Sequence, residues 1–173
     1  MYLAKVDLTS GDLDTTFTQS AGANGGVYAL AISGGSLYVG GQFSTYRGAP
    51  ANKLAKVDPI SGALDTTFTQ STGVGNYCVN SLAVSGGSLY VGGQFNTYRG
   101  APANNLAKVD LANGDLDTTF TQSTGADGGA YALAVSGSSL YVGGGFTGYR
   151  GVDPLSSASR FMGVDLTSGD RTL

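Results

Sequence analysis

Three stretches of this chain carry nearly the same residues at a fixed interval. Ser36-Leu37-Tyr38-Val39-Gly40-Gly41-Gln42-Phe43, with Thr45-Tyr46-Arg47-Gly48 behind it, returns as Ser88 to Phe95 with Thr97-Tyr98-Arg99-Gly100. It returns again as Ser139 to Phe146, followed by Tyr149-Arg150-Gly151. Tyr38, Tyr90 and Tyr141 stand 52 and then 51 residues apart. A period of this size marks a repeat architecture, in which a unit buries its apolar surface only against its neighbours.

Each unit reads as four strands. The first is Val27-Tyr28-Ala29-Leu30-Ala31-Ile32, matched by Val79 to Val84 and Ala130 to Val135. Its alternation puts Tyr28, Leu30 and Ile32 on one face and Val27, Ala29 and Ala31 on the other. One face is bulky and one small, so stacked sheets can nest bulky against small. Ser33-Gly34-Gly35 is a hairpin turn that uses glycine at positive φ. Leu37-Tyr38-Val39 is the second strand, and its Gly40-Gly41 pair marks a bulge or a close backbone approach. Leu54 to Asp58 is the third strand, seen also at Leu3 to Asp7 and Leu106 to Asp110. Leu64 to Phe68 is the fourth. No window has helical periodicity over a useful length, so the chain is expected to be all-β.

A repeated unit of four antiparallel strands and about fifty residues falls in the size range of β-propeller blades. The start G-V-Y-A-L-A-I, the core L-Y-V-G-G-Q-F, the strand L-A-K-V-D and the end L-D-T-T-F together resemble the delta-60 repeat, over nearly the whole chain. That resemblance implies a bacterial β-propeller unit with no assigned biochemical activity, in secreted or surface-associated proteins. It supplies no catalytic residues. Residues 1–173 read as one array, with a partial blade at 1–17 and blades at 27–68, 79–120 and 130–173.

The phase of the array bears on closure. The chain opens on a third and fourth strand, runs through two complete units, and gives a first and second strand from Ala130 to Phe146. A worn third strand, Phe161-Met162-Gly163-Val164-Asp165, follows the irregular Val152 to Arg160 stretch. About three blades are too few to close a ring. The expectation is a homo-oligomer in which Leu3 to Phe17 of one chain pairs onto Ala130 to Phe146 of the next. Two chains giving six blades is preferred over three giving nine. The competing reading is a section of a longer propeller.

In an up-and-down blade the long connections share one end, and binding residues collect there. Tyr46-Arg47, Tyr98-Arg99 and Tyr149-Arg150 are therefore the candidate binding residues, for a glycan or a protein partner. Tyr offers a flat apolar body with a hydroxyl, and Arg a planar fork that stacks or grips an anion. The preferred reading of the same pairs is structural, with Arg bonding loop carbonyls or a neighbouring blade's Asp while Tyr packs against the adjacent sheet.

Other functions find little footing. Nine Lys and Arg residues spread over the repeats, with net charge −3, give no patch for a phosphate backbone. No run of eighteen apolar residues spans a bilayer, and the start Met1-Tyr2-Leu3-Ala4-Lys5 does not read as a signal peptide. The sequence has no His, which removes the commonest general base. Val27 to Gln70 and Val79 to Gln122 agree at 35 of 44 positions, so no unit has an obvious pocket of its own, and no enzyme is expected. Asp7-Leu8-Thr9-Ser10-Gly11-Asp12-Leu13-Asp14 could offer oxygens to calcium, but Asp capping its own tight turn explains the pattern more simply. No metal or cofactor is expected. Cys78 stands where other copies have Gly26 and Gly129, and is read as a buried or bystander thiol.

Overall fold

The computed structural model describes residues 3–17, 22–68, 73–120, 125–151 and 161–172. Every regular element among them is a strand, and all pairing is antiparallel. The first unit contributes β1 (Gly26–Ser33), β2 (Ser36–Gln42), the short β3 (Thr45–Tyr46) and β4 (Ala49–Pro50), and β5 (Leu54–Val57). The second repeats this set as β6 (Cys78–Ser85), β7 (Ser88–Gln94), β8 (Thr97–Tyr98), β9 (Ala101–Pro102) and β10 (Leu106–Asp110). The third has β11 (Ala130–Ser136), β12 (Ser139–Gly144) and β13 (Phe161–Asp165). Each unit is a three-stranded sheet with its second strand in the middle, and β3–β4 and β8–β9 form two small ribbons. Among the described residues no helix is long and apolar enough to cross a membrane. The Val152 to Arg160 stretch lies outside the described residues.

The Gly-Gly pair does two jobs. The ladder between β1 and β2 shifts register between Val27 and Ala29, opposite Gly41 and Gly40, and the same shift recurs in the other two units. A Cβ on Gly41 would lie 2.0 Å from the Gly26 carbonyl oxygen, so the bulged strand presses onto bare backbone. A Cβ on Gly40 would instead meet Val79 Cγ1 of the next unit at 2.5 Å. One glycine admits its own sheet's bulge, and the other admits the neighbouring sheet.

The sheets stack bulky face on small face. Ala31 and Tyr38 of the first unit enter one cluster with Leu82, Val84, Leu89 and Val91 of the second. Ala83 and Tyr90 of the second enter another with Leu133, Val135, Leu140 and Val142 of the third. The Tyr38 hydroxyl donates across the first boundary to the Leu111 carbonyl at 2.8 Å, and Tyr90 donates to Leu166 at 3.3 Å across the second. At the two ends this nesting is unfulfilled. Leu30 and Ile32 are 51% and 69% exposed, because among the described residues no sheet packs on their face.

The fourth strand differs from expectation. Leu64 meets Val57 at a single bridge, as Leu116 meets Val109 and Arg171 meets Val164. Asp65 then folds the chain onto itself, its Oδ1 accepting from Thr67 N at 2.9 Å and Thr67 Oγ1 at 2.6 Å. A side chain that satisfies the local backbone competes with a sheet ladder. Phe68 closes that turn as a buried hook, edge-on to Tyr38 at 5.5 Å between ring centres, and Phe120 does the same to Tyr90.

The N-terminal segment also differs. Leu3 to Asp7 makes only the Val6–Leu13 bridge, since no second strand of this chain lies beside it. Leu3 and Phe17 still reach the cluster of Leu37, Val39, Ala55 and Val57. The edge of β12, expected to receive Leu3 to Phe17 of another copy, is held by β13 from Ser139↔Asp165 to Gly143↔Phe161.

Candidate functional site

The Tyr-Arg-Gly-Ala stretch is the tight turn of the β3–β4 ribbon. Arg47 and Gly48 both have positive φ, 49° and 79°, as do Arg99 with Gly100 and Arg150 with Gly151. A two-residue hairpin loop of this hand needs both central residues in the left-handed region. Glycine takes it freely, whereas arginine there carries strain of order 1 kcal/mol. The turn aims the preceding Tyr inward. Tyr46, Tyr98 and Tyr149 are 1%, 0% and 2% exposed, so their rings do not project from the surface as expected. The hydroxyls of Tyr98 and Tyr149 donate to the carbonyls of Gly114 and Gly169, each at 2.8 Å.

The arginines tie successive units together. Arg47 Nη2 donates to the carbonyls of Phe17 and Ser61. Arg99 Nη2 donates to Phe68 and Asn113, and Arg150 Nη2 to Phe120 and Ser168. Each guanidinium thus holds the Phe hook of the preceding unit to a turn of its own. Arg99 and Arg150 add ion pairs to Asp115 and Asp170 at 2.9 and 2.6 Å. Ala63 stands at the matching position in the first unit. In all three copies Nε is buried without a hydrogen-bond partner.

Burial raises the ionisation of Tyr38, Tyr46, Tyr90, Tyr98 and Tyr149, pushing Tyr98 and Tyr149 up to about 12. The unfolded chain releases these protons first, near pH 10, so it binds fewer protons than the folded chain above that point. Stability from these groups is therefore full below about pH 10 and falls as pH rises above it. Urea melts should give a steady midpoint from neutral pH to about pH 9, and a falling one beyond about pH 10. A midpoint indifferent to alkali would contradict the buried placement of these rings.

The repeated aspartates serve their own turns. Asp7 Oδ1 accepts from Thr9 N and Ser10 N at 2.8 Å each, and Asp58, Asp110 and Asp165 repeat the arrangement. Those backbone N–H groups hold Asp7, Asp58 and Asp165 below the usual carboxylate range. Asp14, Asp65 and Asp117 pair with Lys5, Lys56 and Lys108 at 2.9, 3.2 and 3.1 Å while accepting from Thr16, Thr67 and Thr119. Among the described residues no group of three or more His, Cys, Asp or Glu is placed to hold a metal ion. Cys78 is a buried free thiol.

One exposed aromatic lies outside this repeated pattern. Asn76 and Tyr77 occupy the entry to β6, where the first and third units pass through Gly25 and Gly128 and the second unit is one residue longer. Asn76 has φ 65°, and Tyr77 is 70% exposed. Two surface grooves, of about 470 and 340 Å³, lie on either side and share these two residues. The sequence did signal the place, through one inserted residue and an aromatic in place of glycine. What it hid was that the insertion forms a wall between two grooves.

The chain matches a family model described as a domain of unknown function (DUF5122) beta-propeller, at residues 35–68 and 87–120. Those stretches run from the β1–β2 turn to Phe68 and from the β6–β7 turn to Phe120. No curated protein sequence matches the chain. Among solved structures it is similar to the computationally designed Ika8 protein, with a TM-score of 0.52 at 14% identity over 86% of this chain and 36% of that one. It is similar also to the designed Ika4 protein, with a TM-score of 0.53 at 14% identity over 89% of this chain and 75% of that one. The chain thus spans little more than a third of Ika8.

Proposed function

We propose that the chain is a non-enzymatic β-propeller scaffold that associates head to tail with copies of itself to complete a ring. The carrying observation is that its two ends present the two halves of a contact the chain makes twice internally. The first sheet leaves Leu30 and Ile32 uncovered, and their counterparts Leu82 with Val84 and Leu133 with Val135 pack in the internal clusters. The third sheet leaves Ala132 and Ala134 exposed, and Ala31 and Ala83, the counterparts of Ala134, pack against those bulky pairs. Docking one end on the other removes the remaining exposed half to two-thirds of two large apolar side chains from water, at about 1–2 kcal/mol each.

Closure then requires one third strand beside β12, and two sequences compete for it. β13 has Gly163 where β5 and β10 have Lys56 and Lys108, and glycine inside a strand weakens it by roughly 0.5–1 kcal/mol. Leu3 to Asp7 keeps the full Leu-Ala-Lys-Val-Asp sequence. In the assembled ring Leu3 to Asp7 of one copy replaces β13 of the other, two chains making six blades. The absence of His and the engagement of Asp14, Asp65 and Asp117 in turns and ion pairs support a scaffold over a hydrolase. A section of a longer array is the second reading, since further units would cover the same two faces.

Light scattering after size exclusion tests the proposal. The chain should run at twice its 17.4 kDa mass, and Leu30→Asp with Ile32→Asp should return it to one chain mass while still folded. A folded wild-type monomer at micromolar concentration would sink the self-assembly reading.

A further inference from the structure

The grooves flanking Tyr77 form a surface that the repeat itself does not require. Strand pairing and inter-unit nesting recur in every unit, but the one extra residue before β6, with Tyr77 in place of Gly25 and Gly128, occurs in the second unit alone. Tyr77 adds nothing to the core, and an exposed ring is held in water behind a left-handed Asn76. We propose that Tyr77 and the amides around it form a binding site for a neutral oligosaccharide.

The lining chemistry selects that ligand class. Asn76, Gln94, Asn96 and Asn105 line the larger groove, and Asn24 and Gln42 line the smaller. A primary amide carries donors and an acceptor side by side, which complements neighbouring sugar hydroxyls. Several of these amides are fixed in place. Asn24 accepts from Ser44 N and Thr45 N, and Asn105 accepts from Phe95 N while donating to the Ala126 carbonyl. Gln94 donates to the Tyr131 hydroxyl at 3.3 Å. The side chains of Asn76, Asn96 and Tyr77 have no partner among the described residues and are free to meet a ligand.

A pyranose ring has a polar rim and an apolar C–H face, which match an amide fringe and an open phenol ring. The charge is too small for an ionic ligand. Asp127 in the larger groove already accepts from Thr147 N and Oγ1 at 2.7 Å each, and Lys53 in the smaller is a single cation. The walls are turn backbone and amide side chains, so an extended peptide finds no ladder to join. Two grooves meeting at Tyr77 fit a linear chain that crosses the ring at its middle. The site is built within one polypeptide, so it goes beyond the scaffold reading and holds whether or not copies associate.

Calorimetric titration of the full chain with maltohexaose, cellohexaose, mannohexaose and chitohexaose, backed by saturation-transfer NMR, tests the site. At least one sugar should bind. Tyr77→Ala should lower that affinity by about tenfold or more, Tyr77→Phe should retain it, and Asn96→Ala should lower it several-fold. Melting temperature and particle mass should stay at wild-type values in all three, which separates failure here from failure of self-assembly. The proposal is overturned if none of the four binds at millimolar concentration. It is overturned equally if Tyr77→Ala binds like wild type, if both Tyr77→Ala and Asn96→Ala act only by lowering stability, or if library selection at Tyr77 returns peptides instead.

Discussion

Gly93→Ala is expected to cost the chain at least about 3 kcal/mol, a large share of the roughly 5–15 kcal/mol that holds a domain folded, and to lower its unfolding midpoint sharply. Gly93 sits on β7 opposite Val79, where the ladder shifts register. A Cβ there would lie 2.2 Å from the Cys78 carbonyl oxygen and 3.0 Å from Val79 Cα. Both contacts are backbone, so no rotamer change relieves them. The bulge would have to straighten, which moves Val79 out of the cluster it shares with Tyr38, Leu89 and Val91. Gly87→Ala is the control. It has open space around the missing Cβ but φ 79°, so it should lose only about 1 kcal/mol from backbone strain. Denaturant unfolding of the two variants distinguishes the terms. Equal losses would mean that the steric account of the Gly-Gly pair is wrong.

Arg99→Ala should lower stability by about 2–4 kcal/mol, more than any exposed charge in the chain. Its guanidinium donates to the Phe68 and Asn113 carbonyls and to Asp115. Without it the Phe68 carbonyl, at the end of a fully buried hook, has no donor in its place. The hook belongs to the first unit and the arginine to the second, so the loss should also loosen the boundary between them. Arg99→Lys should recover only part, because a single ammonium does not reach three acceptors with fork geometry. Arg99→Gly should melt above Arg99→Ala by about 1 kcal/mol, since the left-handed turn position is free of strain for glycine. Urea titrations of the set provide the measurement. An Arg99→Ala chain as stable as wild type would remove the inter-unit role.

Much of the architecture was legible because its determinants are local. The alternation in Ala29 to Ile32 set which residues face the bulky side, but the register shift between Val27 and Ala29 breaks it before that point. Val79, the counterpart of Val27, therefore packs on the same side as Leu82 against Gly40 and not on the small face with the alanines. Gly34-Gly35 and Gly40-Gly41 announced a hairpin and a bulge, and both are where they were read. Other features were misread for want of a partner. Leu64 to Phe68 alternates like a strand, but Asp65 bonds Thr67 first and Phe68 is drawn inward by Tyr38. Leu3 to Asp7 has the residues of a third strand and no second strand beside it. The Tyr–Arg pairs do take the structural role preferred for them, Arg on loop carbonyls and Tyr packed inward, but their sequence does not reveal that the turn at Arg47, Arg99 and Arg150 is left-handed.

By itself the sequence determined the repeat, the all-β character and the alternation that lets one sheet nest on the next. These depend on spacing and on the shape of single residues, which the chain carries wherever it folds. Only the tertiary structure decided which apolar faces stay uncovered, which strand holds the edge of β12, where the guanidinium groups reach, and that Tyr77 divides two grooves. Each of those depends on groups far apart in the chain arriving at one place, and burial and hydrogen-bond partners exist only once they have.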